Sequence, residues 1–221
     1  MPENHLRRMV MILLMVLSLA LASCSGGGGG GGDSGFTTAD YQFLYTYNAK
    51  NLSGHTIRWA NVPIGVSAGA FADARTAFNR WTTASDGAVS FNFGGSNIPV
   101  SWSSSTSWCG LTTISWSSAG RIVSARISIA RSQAGCSGGV PDTLAHEAGH
   151  AIGFLGHDAS GLMNPFGGQD ISDQEARFMK LLYSLAPGTD ITGELGKSRS
   201  SGGTYDKTGS TIHTMTISRS K

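Results

Sequence analysis

The chain has 221 residues, 16 of them Lys or Arg and 14 Asp or Glu, for a formal net charge of +2. That near-neutral balance, with no basic stripe and no lysine or arginine run beside aromatics, excludes a nucleic-acid binder held by phosphate contacts. The three cysteines are an odd number for an exported protein, so one is left over after any disulfide.

Arg7 and Arg8 precede Met9–Ala22, fourteen apolar or small residues in a row. The run is shorter than the roughly 20 residues of a membrane-spanning helix and fits the apolar region of a secretory signal peptide. It ends in Leu21-Ala22-Ser23-Cys24, which resembles a bacterial lipobox. Residues 1–23 are therefore expected to be a lipoprotein signal peptide, with Cys24 acylated and holding the protein on a membrane without spanning it. Ordinary cleavage near Ser23, leaving Cys24 unmodified, is the alternative. The expected location is the cell envelope, lipid-anchored, or outside the cell; Ser25 after the cysteine fits an outer-membrane lipoprotein of a Gram-negative host. Gly26–Gly32 are seven consecutive glycines that can bury nothing. They make residues 24–39 a tether reaching about 20–25 Å. With Cys24 lipidated, Cys109 and Cys136 remain as a pair, whose bridge would close a loop of about 27 residues.

Residues 40–187 have the length of one domain. Thr56–Trp59 with Ile64–Val66 reads as a strand broken at Pro63. Ala70–Ala84 reads as an amphipathic helix, with Phe71, Ala74, Phe78 and Trp81 on its core face. Val89–Phe93, Ile98–Trp102 and Ile122–Ile129 alternate as strands, and Pro141-Asp142 opens a helix with Asp142 as its N-cap. Residues 188–221 are a polar tail rich in Gly, Ser and Thr. Within it Thr211–Ile217 alternates like a short strand that either packs back on the domain or hangs loose. His55 and His213 read as ordinary histidines.

The helix after Asp142 carries the chemistry: His146-Glu147-Ala148-Gly149-His150, then Gly153 and His157. Histidines four residues apart lie one turn apart on one helix face, so both imidazoles can meet one metal ion. Glu147 lies beside that face and can reach a water without being a ligand. Gly153 can take the positive φ that ends the helix and turns the chain, which brings round His157, or Asp158 beside it, as third ligand.

This pattern resembles the metzincin clan of zinc endopeptidases, whose motif is His-Glu-x-x-His-x-x-Gly-x-x-His followed by a methionine turn. Gly161-Leu162-Met163-Asn164-Pro165 resembles that turn, and Ile171–Glu175 resembles the start of the clan's last helix. The motifs span residues 142–185; upstream only the general layout matches. The third histidine comes one residue later than usual, since the usual position holds Gly156. Pro165 stands where some members carry a tyrosine, which makes the chain more similar to the matrixins.

The resemblance implies an α+β fold, with a twisted mixed sheet, an active-site helix and a C-terminal helix after the Met-turn. It implies Zn2+ held by His146, His150 and His157, with Met163 beneath it. It implies peptide-bond hydrolysis by a metal-activated water with Glu147 as general base, and a protein or peptide substrate. Such substrates add to the edge of the sheet, for which residues 122–129 are the candidate. A monomer is expected. The rival reading is a surface lipoprotein that contains zinc and binds peptides without cutting them. A cysteine latch of the matrixin kind is not expected, because the segment between the glycines and Asp40 has no cysteine.

Overall fold

The alternating middle of the chain folds into a six-stranded mixed sheet, in a computed structural model that describes residues 35–196 and 208–221. The expected signal peptide, Cys24 and the glycine run Gly26–Gly32 of the tether fall outside those residues. No described helix is long and apolar enough to cross a membrane.

In chain order the elements are α1 (Thr38–Tyr47), a 3-10 turn (Ala49–Leu52), β1 (Ile64–Ser67), α2 (Ala74–Ala84), β2 (Phe91–Phe93), β3 (Ile98–Ser103), β4 (Gly110–Ser117), β5 (Ile122–Ala130), α3 (Gly139–Ala151), α4 (Asp173–Ser184), a second 3-10 turn (Thr192–Leu195) and β6 (Ile212–Arg219). The sheet order is β2-β1-β3-β5-β4-β6. The first four of these strands run parallel, while β4 is antiparallel to both β5 and β6.

Three expectations are corrected. Residues 122–129 are not an edge: β5 lies between β3 and β4, paired on both sides. A strand absent from the sequence reading, β4, sits outside it. Its core-facing positions, Thr112, Ile114 and Trp116, alternate, but threonine and serine dilute the apolar signal. The first strand begins only at Ile64, after Pro63, which has no N–H to give a ladder; Arg58 makes just an isolated bridge to Arg121.

The segment at 211–217 packs back on the domain. As β6 it pairs with β4 from Gly110↔Arg219 to Ser117↔Ile212. Phe36–Lys221 forms one compact unit.

Helix α3 runs through the core, with every residue from Thr143 to Ala151 buried. The core face of α2 (Ala74, Ala77, Phe78, Trp81) packs on it, and the Trp81 indole donates to the Ala145 carbonyl at 2.7 Å. Trp59 does the same to Ala151 at 2.9 Å. Two large apolar rings thus fix the axial position of α3, their polar atoms satisfied as buried indoles require.

Candidate metal centre

Helix α3 starts earlier than its sequence signals imply. Its N-cap is Gly138, at φ 70°, and Asp142 lies inside the first turn, where it meets Arg80 at 2.8 Å. Pro141 is tolerated there because first-turn N–H groups have no helical partner to lose. The other end matches the expectation for Gly153. At φ 116° it donates to the His150 carbonyl at 3.0 Å, and Phe154 donates to Gly149 at 3.0 Å. This pair of bonds is the Schellman ending. A Cβ at Gly153 would stand 2.9 Å from the Ile57 carbonyl and 3.0 Å from Leu182, so both conformation and space require glycine.

The turn that follows brings His157 to the helical pair. Ring centroids are 4.8 Å apart for His146–His150, 5.2 Å for His146–His157 and 5.0 Å for His150–His157. One nitrogen from each lies within 4.8 Å of the other two. The extra residue relative to the usual spacing is absorbed between Gly153 and His157. Asp158 is not in this group: it accepts from the Tyr47 hydroxyl at 2.9 Å and from Ser160 at 3.0 Å.

Backbone carbonyls set the ring tautomers. His146 Nδ1 donates to Leu162 O and His150 Nδ1 to Phe154 O, both at 2.7 Å. Burial holds His146 down to about 3, against the pull of the Leu162 carbonyl, and holds His150 well below its ordinary value. Burial also lowers His157. With each Nδ1 donating to a carbonyl, the Nε2 atoms of His146 and His150 face each other at 3.1 Å as the acceptors of the uncharged rings. His157 Nε2 is buried with no hydrogen-bond partner among the described residues. Facing lone pairs and an unpaired buried nitrogen are costly unless a cation lies between them. Three imidazoles, two of them with their far nitrogens tied to carbonyls, fit a transition-metal ion such as zinc, copper or nickel.

Glu147 points to the sheet. Its Oε2 accepts from Thr112 Oγ1 at 2.5 Å, and its Oε1 has no hydrogen-bond partner among the described residues. It has no exposed surface. Burial pushes the carboxyl up to about 8, opposed by the Thr112 hydroxyl and by the nearby amide and charge of Arg219. Gly110 makes the space: a Cβ there would come 2.5 Å from Glu147 Oε1.

The Met-turn is held by Glu175. This buried carboxylate caps α4 with Ser172 and also accepts from the Leu162 and Met163 amides at 3.0 and 2.7 Å. Leu162 in turn accepts from His146, so α4, the turn and the first histidine form one chain of bonds. Met163 is fully buried against α3; a Cβ at Gly149 would come 2.5 Å from its Sδ and 2.6 Å from Trp81.

Cys109 and Cys136 form the expected disulfide, fastening the start of β4 to the loop before α3. Sequence reasoning missed Thr112, Glu175 and Arg219. The Ser172-x-x-Glu175 spacing of a capping box was a usable signal for Glu175. No family model matches the chain, and no curated protein matches it.

Proposed function

We propose that the protein is a metal-dependent endopeptidase, with zinc as the ion, similar to the metzincins. The observation that carries this reading is the convergence of His146, His150 and His157 one helical residue from the buried acid Glu147. Three histidines that leave a further position open suit a catalytic rather than a structural ion. The bound ion would supply Lewis acidity toward the scissile carbonyl. Thr112 holds the Glu147 carboxylate in place. Glu147 takes a proton from the attacking water and returns it to the leaving amine. A carboxyl whose proton affinity lies near neutrality can perform both transfers. The signal peptide and lipobox support export and attachment to a membrane in the cell envelope.

The complete burial of Glu147 favours one other reading, a metal-containing protein that binds peptides without cutting them. The two separate on cleavage of an unfolded protein by the zinc-loaded full chain, compared with Glu147→Gln and with chelator added. The peptidase reading predicts cutting by the unsubstituted chain alone, with Glu147→Gln slower by about a hundredfold or more. Equal activity in Glu147→Gln contradicts it.

A further inference from the structure

Strand β6 pairs with β4 along its whole length. It lies at an edge, and of its eight residues only Ile217 and Arg219 are buried. Its side-chain contacts with β4 include two hydroxyl pairs, Thr113–Thr216 and Ser115–Thr214, and a stack of His213 on Trp116. Ile217 joins the core and Met215 packs against it; the rest of the pairing is backbone ladder, which any extended chain can form.

Arg219 departs from this pattern. It is fully buried, yet its partners are neutral: Nη1 donates to Thr143 Oγ1 at 3.0 Å and Nη2 to the Ser137 carbonyl at 2.6 Å. Its Nε has no hydrogen-bond partner among the described residues. Gly167, at φ 68°, opens the seat, since a Cβ there would overlap the guanidinium. Burying a guanidinium against neutral groups costs more than burying an apolar side chain of equal volume. A seat that nonetheless holds arginine, with its space made at Gly167 and two acceptors placed for its Nη atoms, is shaped for that side chain. Its place is equally specific. Arg219 pairs with Gly110, and Gly110 lies against Glu147. A peptide in the position of β6 would therefore run past the Glu147 carboxylate.

We propose that the outer edge of β4, with the seat of Arg219, is a binding site for extended peptides carrying an arginine side chain, and that β6 is the chain's own displaceable occupant. Its catalytic consequence rests on the peptidase reading: substrates would be cut near a basic residue, and β6 would keep the site closed until displaced. Binding itself does not depend on cleavage.

The test uses full chains in the Glu147→Gln background, where the peptidase reading predicts cutting too slow to deplete the probe. The probe is a labelled peptide of residues 208–221, together with its Arg219→Ala form. A Glu147→Gln/Arg219→Ala chain, whose own strand is loosened, should bind the arginine peptide about tenfold or more tightly than the alanine peptide. It should also bind it more tightly than the Glu147→Gln chain does. Equal binding of both peptides, or binding of neither by a folded chain, overturns the proposal. Should the double variant not fold, hydrogen exchange in the unsubstituted chain decides. β6 amides exchanging as a group about a hundredfold or more faster than β5 amides support displacement, whereas exchange of β6 together with β5 overturns it. Intact binding together with no cleavage by the zinc-loaded chain that keeps Glu147 would count against the peptidase reading alone.

Discussion

Two glycines and one histidine pair define the centre at the scale of single residues. Gly149 sits where Met163 and the Trp81 ring both press on α3. In an ordinary exposed helix Gly→Ala would stabilise by about 1 kcal/mol. Here the Met163 end can move, but the Trp81 indole is pinned to Ala145, so overpacking wins. Gly149→Ala should destabilise by about 1–3 kcal/mol, read from denaturant unfolding; a stabilised variant would mean that the ring is not fixed. His146 and His150 were legible from spacing alone, because a four-residue separation dictates their convergence. His157 was a weaker inference: its arrival depends on the path of the turn after Gly153, which no local pattern specifies.

Among elements, α1 and α4 are joined by Asp40. Its carboxylate caps α1 and receives both the Nε and Nη2 of Arg177 at 2.9 and 2.6 Å. The Arg177 guanidinium holds it well below the usual carboxylate range, with the Thr37 amide and hydroxyl assisting against burial. A depressed folded value stabilises above the unfolded value and is lost as the pH falls toward the folded one. Asp40→Asn should therefore melt lower than the unsubstituted chain at pH 7, with the gap closing as the pH drops below about 4. A gap constant with pH would mean that the charge plays no part.

Glu175 does comparable service for the Met-turn. Glu175→Ala leaves the Leu162 and Met163 amides unpaired and should destabilise by about 2–4 kcal/mol, with weaker metal binding because Leu162 orients His146. Full metal affinity in a folded Glu175→Ala chain would contradict that link. The helices were readable because their apolar faces and capping residues are local. β4 was not: beside Ile114 and Trp116 its buried face carries Gly110 and Thr112, which meet Glu147 and break the apolar alternation.

At the scale of the molecule, the sheet order decided what sequence could not. Alternation identified Ile122–Ile129 as a strand but carried no information about its neighbours, and strand order arises from long-range pairing. The C-terminal segment looked like a polar tail because only Ile217 and Arg219 of its strand are buried. The Cys109–Cys136 bridge ties the start of β4 to the loop before α3 across a separation of 27 residues. Replacing both cysteines with alanine should cost about 3–4 kcal/mol in the chain-entropy picture, measured by unfolding with and without reductant.

The central claim is that three imidazoles converge on one metal. Equilibrium zinc titration of the full chain, its His157→Ala form and its Asp158→Ala form tests it most directly. The account predicts one ion per chain, affinity lower by about a hundredfold or more in His157→Ala, and retained binding in Asp158→Ala. Unchanged affinity in His157→Ala with loss in Asp158→Ala would contradict it.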